Sequence, residues 1–395
     1  MGSFQVQVLK AFDRAVGLTV YRSTLSAARR RGFVSSAAAA PPDPATVRKV
    51  LVIRPGGIGD AVLFYPLLAA LREAWPAAEL HILAERRNAG LFAANDRARR
   101  VFAYDGGMGT QLLEVLRGGY DVVVDTEQYH YLSAVIAYLT GAPVRCGFDT
   151  RGRGGLFTHR VHYDDQTYEA LLFLDLARAV TGRAVVFDAD QPFFPVREDL
   201  LDQARTRYGL SRGGGTIVIQ PGASIIQRRW ESEKFHAVAK WVASRGWRTV
   251  LVGGASEVPA ARRIAEGFEP GRVIDLCGRL ALAETAAVVA LSDLYVGSDT
   301  GVMHIAYGVG TPTVHLFGPG VLEKWAPRGS RYQAISKRLP CSPCIRYAYV
   351  PPCPYDTECM KMISVEEVIE AVRRATDSVP DGVKGAEGSG GRLGQ

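Results

Sequence analysis

From residue 50 onward, short apolar runs alternate with amphipathic ones, and the alternation restarts after an interruption mid-chain. The pattern predicts strand 50–54, helix 60–74, strand 79–83, a helix near 86–94, strand 99–103, helix 109–117, strand 121–125 and helix 130–139. It resumes with strand 215–220, helix 232–245, strand 248–252, helix 257–266, strand 272–276, helix 283–291, strand 293–297, helix 301–308 and strand 312–317. Strands separated by helices build parallel sheets covered on both faces. Two such runs predict an α/β chain with Rossmann-like domains at 47–195 and 213–363. Residues 183–214, rich in Pro, Asp and Gly, read as the connection between them. A last helix is expected at about 364–376, within a C-terminal segment 364–379, before a Gly-rich tail at 380–395 that is expected to be disordered.

Two strand ends stand out. Val50–Arg54 runs into Pro55-Gly56-Gly57-Ile58-Gly59-Asp60, and Leu294–Gly297 runs into Ser298-Asp299-Thr300-Gly301-Val302-Met303-His304. Each is an apolar strand ending in a small-residue turn with an aspartate, followed by a helix. In open α/β sheets ligands bind at the carboxyl ends of strands, over helix N-termini. Two such turns predict two substrates, one on each domain. The first turn is not G-x-G-x-x-G, which disfavours a nicotinamide dehydrogenase.

Composition narrows the classes. Apolar residues make up 47% of the chain and charged residues 22%, as in an ordinary globular protein. No apolar run approaches the ~20 residues that span a bilayer, and no signal peptide is evident in residues 1–31. A cytoplasmic address is expected. The net charge is +7, and the first 49 residues hold eight Lys and Arg against Asp13 and Asp43. The remainder is close to neutral, which argues against a nucleic-acid-binding body. Leu9, Phe12, Val16 and Val20 recur at roughly helical spacing in this segment. Residues 1–46 therefore read as a basic amphipathic leader with an Ala/Pro linker. The leader packs on the domain, is partly disordered, or lies on an anionic membrane surface.

Taken in order, the motifs Arg54-Pro-Gly-Gly-Ile-Gly-Asp60, Gln220-Pro-Gly-Ala-Ser224 with Arg228-Arg229-Trp230, Val252-Gly-Gly-Ala-Ser-Glu257, Gly297-Ser-Asp-Thr-Gly-Val-Met-His304 and Phe317-Gly-Pro319 resemble those of glycosyltransferase family 9, the ADP-heptose:lipopolysaccharide heptosyltransferases. The resemblance runs from about residue 49 to 376. It implies the GT-B fold, in which two Rossmann-like domains with parallel sheets face one another across an interdomain cleft. It also implies inverting, metal-independent transfer of a sugar, heptose from ADP-heptose, onto a lipopolysaccharide core or related cell-surface glycan. The donor is then an ADP-sugar, no cofactor is required, and the acceptor is lipid-linked or phosphorylated. The same fold leaves two alternatives open, a nucleotide-sugar epimerase and a non-catalytic sugar-nucleotide-binding protein.

Transfer from a nucleotide-sugar needs a base for the acceptor hydroxyl, charge or N–H dipoles on the departing diphosphate, and a grip on the nucleoside. Asp60 is the base candidate; on residue type alone it reads equally as the N-cap of the following helix. Gly56, Gly57 and Gly59 let the acceptor loop approach a substrate. Thr300 and Gly301 open a helix whose free amides form an anion site. Asp299 caps that turn or meets the sugar, and His304 either touches the donor or supports the loop. Arg228 stands where the family usually has a phosphate-binding Lys, and a guanidinium preserves that role. Ser224 and Arg229 accompany it, and Trp230 is expected to pack beneath. The resemblance implies that Glu257 holds the donor ribose and that Leu280 packs on adenine. Arg145, Arg151, Arg153, Arg160 and His162 read as an acceptor-side basic cluster or a solvated face, and His130 and Tyr131 as flanking an acceptor entry. Cys341, Cys344, Cys353 and Cys359 are spaced C-x2-C-x8-C-x5-C. They read as free thiols or as a structural metal cluster, while Cys146 and Cys277 are expected to be buried.

Overall fold

A computed structural model of the chain describes residues 13–33, 39–105, 109–345 and 350–376. They divide into two compact units, residues 1–197 with 321–326, and residues 198–320 with 327–395. Among the described residues no helix is long and apolar enough to cross a membrane.

The first unit is built on strands β1 (Lys49–Arg54), β2 (Glu79–Ala84), β3 (Arg100–Ala103), β4 (Val122–Asp125), β5 (Val144–Phe148) and β6 (His159–Val161). All neighbours are parallel, in the order β3-β2-β1-β4-β5-β6. Central strands covered on both faces must be apolar throughout, and Val50, Leu51, Val52, Val122, Val123 and Val124 are wholly buried. The order reverses between β1 and β4, so the loops leaving these two strands flank a crevice at the switch point.

The second unit repeats the plan with β7 (Thr216–Gln220), β8 (Arg248–Leu251), β9 (Val273–Asp275), β10 (Leu294–Ser298), β11 (Thr313–Leu316) and β12 (Tyr332–Ile335), in the order β12-β11-β10-β7-β8-β9. Its switch point lies between β7 and β10. The helix Val365–Thr376 packs its Val368, Ala371 and Val372 into this unit's core.

Several expectations change. The helix expected at 60–74 begins at Ile58 and is two helices, Ile58–Leu63 and Tyr65–Ala74, with Phe64 between them. Pro66, in the first turn of the second helix, has no N–H to continue the ladder. Residues 183–214 are not wholly a connection, because Glu198–Tyr208 is a helix. Its acids stand in the first turn and its arginines in the last, which favours the helix dipole. Ala204 is the buried residue on it, so it carries little apolar periodicity. Strands β5, β6 and β12 and the helix Glu169–Thr181 extend the alternation beyond the expected elements.

Leu18–Arg30 is a helix docked on the first unit. Tyr21 and Ala28 are buried, and the Tyr21 hydroxyl donates to Gly152 O (2.7 Å) and accepts from Gly155 N–H (3.0 Å). Asp13 accepts from the amides of Tyr131 (3.1 Å) and Leu132 (2.9 Å). Val16 of the expected apolar stripe is exposed, and Val20 is half-buried against the core. Leu9, Phe12 and the tail 380–395 lie outside the described residues.

Candidate active site

The Gly-rich loop leaves β1 at Arg54. Gly56 has φ of +100°, a conformation that suits glycine alone. Gly57 is the N-cap of Ile58–Leu63. Asp60 is therefore the third residue of that helix and not its cap, as residue type alone had allowed. Its carboxylate folds back over the loop, where a Cβ on Gly57 would lie 2.9 Å from Oδ2. Asp60 is half-buried, and among the described residues its carboxylate has no hydrogen-bond or ion-pair partner.

Behind Asp60 lies a buried polar cluster that sequence reasoning missed. The Glu169 carboxylate is inaccessible. It accepts from the Tyr163 hydroxyl (2.8 Å) and the Gln128 amide, and it pairs with Lys324 (3.0 Å). Lys324 also donates to Thr167 O (3.1 Å) and lies 4.6 Å from the Tyr163 ring centroid. Burial raises the Glu169 carboxyl above its ordinary pKa; Lys324 opposes this and the nearby Asp60 charge adds to it. An acid at the head of an otherwise apolar helix was the available signal for Glu169. Lys324, alone after the Phe317-Gly-Pro319 turn, had none.

The loop after β4 forms the other side of the crevice. Glu127 accepts from the amides of Gln128 (2.9 Å) and Tyr129 (2.8 Å) and meets His130 Nδ1 at 3.0 Å. Burial opposes its ionisation, but His130 and the Arg54 charge hold the carboxyl well below the usual range. His130 and Tyr131 are thus engaged in the fold, His130 by Glu127 and Tyr131 by donating to Arg151 O (3.1 Å). The basic cluster is not a single solvated face. Arg153 is wholly buried against Asp125 and Ser133 (2.8 Å). Arg145 is buried between carbonyls and the rings of Phe33 and Tyr138, and Arg160 pairs with Asp149 (3.2 Å). Only Arg151 and His162 of the five are exposed.

The donor-side candidates converge at the β7/β10 switch point of the second unit. Arg228 Nη1 lies 3.1 Å from Asp299 Oδ2 and donates to Asp299 O at 3.2 Å. Thr300 is the N-cap of Gly301–Gly308 and accepts from Met303 N–H at 3.5 Å. Its own hydroxyl proton goes to Gln220 Oε1 (2.7 Å), which also accepts from Tyr295 (3.1 Å). The hydroxyl expected to point at phosphate is thus held internally, and the first amides of the helix are the remaining candidate for that anion. Arg229 Nε donates to Ala223 O (2.8 Å), bracing the loop that exposes Ser224. Trp230 is buried and donates to Ile363 O (3.0 Å).

Glu257 accepts from Gly254 N–H and from the Ser256 hydroxyl, both at 2.8 Å. It packs so tightly that a Cβ at Gly222 or Gly253 would collide with it. Its helix N-terminal role is therefore realised here. Leu280 and Gly301 are half-buried. His304 is buried, and burial together with the Arg228 charge lowers its pKa to about 3. It stands as a neutral side chain under the loop.

The Cys341–Cys359 thiols come together at the edge of this unit. Burial, then the neighbouring Cys344, Cys341 and Cys353, raises the Cys359 pKa to about 11. All four are free, and among the described residues no group of three or more His, Cys, Asp or Glu is arranged to hold a metal ion. Cys146 and Cys277 are buried.

Two parallel six-stranded sheets of Rossmann order, each with polar residues gathered at its switch point, make this a GT-B fold. The family model for glycosyltransferase family 9 (heptosyltransferase) matches residues 110–352, and the chain belongs to that family. Lipopolysaccharide heptosyltransferase 3 of Escherichia coli is 25% identical over 290 residues, 68% of this chain and 83% of that protein. Lipopolysaccharide heptosyltransferase 1 of Pseudomonas aeruginosa is 25% identical over 324 residues, covering 75% and 86%. Among solved structures, E. coli ADP-heptose LPS heptosyltransferase II aligns with a TM-score of 0.68 at 20% identity, covering 84% of this chain and 99% of that one. E. coli heptosyltransferase WaaC with ADP aligns with a TM-score of 0.62 at 18% identity, covering 84% and 99%.

Proposed function

We propose that this glycosyltransferase moves heptose from ADP-heptose onto a lipopolysaccharide core acceptor with inversion, and that Asp60 is its base. The observation that carries the assignment is the Asp60 carboxylate, held without a partner at the switch point of the first unit. In the reaction Asp60 takes the acceptor hydroxyl proton as that oxygen bonds to the anomeric carbon. The carbon–oxygen bond to the diphosphate breaks from the opposite face, and its electron pair leaves with ADP. Arg228 and the amides at Gly301 receive that charge, with Arg228 exchanging Asp299 for phosphate. Glu257, Ser224, Arg229 and Leu280 are assigned to the donor nucleoside and its loop, and Asp299 to the sugar. No step calls for a metal. The basic leader is assigned to an anionic membrane surface on the cytoplasmic side, where a lipid-linked acceptor lies, with the exposed Arg29, Arg30 and Arg31 as the contact.

The test is to incubate the protein with ADP-heptose and heptose-deficient core oligosaccharide and follow ADP release and acceptor mass. One heptose added per ADP released is expected. Release of ADP without acceptor gain, or preference for another nucleotide-sugar, would overturn the reading.

A further inference from the structure

We propose that Arg54 and Arg87 form, over Gly56, a seat for an anionic group of the acceptor, a phosphate or a carboxylate. The proposal rests on the reading that this loop faces the acceptor. The left-handed turn at Gly56 leaves its Cβ position empty, and Nη2 of Arg54 and Nη2 of Arg87 lie 3.2 and 3.8 Å from that point. The two guanidinium groups come from the end of β1 and from the short helix Arg86–Ala89 that follows β2, and they reach the same opening.

Among the described residues neither Nη2 donates a hydrogen bond. Arg54 is 1% exposed. Its Nε donates to Pro55 O (2.7 Å) and its Nη1 to Thr126 O (3.0 Å), with Phe173 stacked 5.5 Å away. Its Nη2 forms a long ion pair with Glu127 at 4.0 Å, without a hydrogen bond. Arg87 is paired through Nε to Glu85, whose other oxygen accepts from the Tyr104 hydroxyl (2.7 Å); among the described residues its Nη groups have no partner. Asn88 clamps the loop by donating to both Arg54 O and Gly56 O (3.2 Å each). Two guanidinium edges meeting at one opening match the paired oxygens of a phosphate or carboxylate better than they match a hydroxyl. Asp60, Glu85 and Glu127 make the surroundings acidic, so an anion is drawn here by these directed N–H groups and not by net charge. The site thereby selects an acceptor that carries its charge at one place.

Arg54 lies in the core, so its replacement risks the fold; Arg87 is half-buried and is the residue to change. Calorimetry would compare binding of core oligosaccharide in three forms: native, dephosphorylated with hydrofluoric acid, and carboxyl-reduced. Arg87→Ala should weaken binding of the native form about ten- to a hundredfold, the range of a hydrogen bond between charged groups. Arg87→Lys should recover part of it. ADP affinity should not move, while the melting temperature should fall in Arg87→Ala, because Glu85 loses its partner, and recover in Arg87→Lys. The difference between wild type and Arg87→Ala should vanish with one modified form, which identifies phosphate or carboxylate as the occupant. Equal weakening with all three forms, or none with the native form, would overturn the seat. Wild-type protein that binds none of the three would overturn the acceptor assignment itself, a distinct result.

Discussion

The two switch points are built alike and partnered differently. On the second unit nearly every candidate group already has an internal partner: Arg228 has Asp299, Thr300 has Gln220, and Glu257 has Gly254 and Ser256. On the first unit, among the described residues, Asp60 has none, and the Nη2 groups of Arg54 and Arg87 donate no hydrogen bond, Arg54 keeping only a long ion pair to Glu127. On the proposed assignment a donor diphosphate carries enough charge to displace the Arg228–Asp299 pair, so such a site can rest in a self-satisfied state. On the same assignment the base keeps a lone pair free to take a proton. The difference teaches that internal pairing is a poor guide to importance, and that an unpaired group is the informative one.

The largest effect should come from removing the unencumbered carboxylate. Asp60→Asn keeps the shape but cannot accept the proton, and general-base catalysis is typically worth 10²–10⁴-fold, or about 3–5 kcal/mol of barrier. Turnover should fall by that factor while ADP binding holds. Near-normal turnover would break the comparison at its centre. A change confined to KM would make Asp60 a binding residue.

Directly behind this open group is one that must stay closed. Lys324→Met would leave Glu169 buried without its cation, and breaking a buried pair from one side costs about 3–5 kcal/mol. Lys324→Met with Glu169→Gln should recover most of the loss, because Gln128 and Tyr163 can still be satisfied. Urea unfolding at neutral pH measures both. A loss under about 1 kcal/mol in the single variant would mean that water or rearrangement replaces Lys324.

The donor side should reveal itself through pH. His304 and His315 are held neutral in the fold, their pKa lowered to about 3, His304 by burial and Arg228 and His315 by burial and His304. The unfolded chain binds a proton at each near pH 6.5. Between about pH 6.5 and pH 3 the unfolded state therefore holds protons that the folded state refuses. Stability is full above that window and falls as pH drops through it, by about 1.4 kcal/mol per pH unit for each histidine. His304→Gln should flatten the decline between pH 7 and 5 by one histidine's share. An unchanged slope would place the uptake elsewhere.

Much of this organisation is legible in the sequence because its causes are local. Apolar runs such as Val50–Ile53 and Thr216–Ile219 announce strands buried on both faces, and glycines followed by aspartate announce the turns. The unread parts depend on distant partners. Arg153 looked like a ligand-binding cation because nothing near it in sequence shows that Asp125 waits in the core. Glu169 and Lys324 are 155 positions apart, and neither hints at the other. Short edge strands such as His159–Val161 carry too few residues for a period to show.

The smallest predicted effect separates the two aspartate turns as pieces of helix chemistry. Thr300 is a working N-cap, accepting from Met303 N–H. Asp60 sits at the third position behind Gly57 and contributes to the helix Ile58–Leu63 only through its charge near the N-terminal end. Thr300→Ala should therefore cost about 1 kcal/mol, the usual loss of a cap, and Gln220 would retain Tyr295 as a donor. Asp60→Ala should change stability by a few tenths of a kcal/mol at most, although it removes as much activity as Asp60→Asn. Denaturant unfolding of the two variants side by side decides the matter. Equal losses would show that the Asp60 carboxylate caps its helix in solution. It would then be engaged in the resting protein just as Thr300 is, and the contrast between an idle base and a self-partnered donor site would collapse into two versions of one turn.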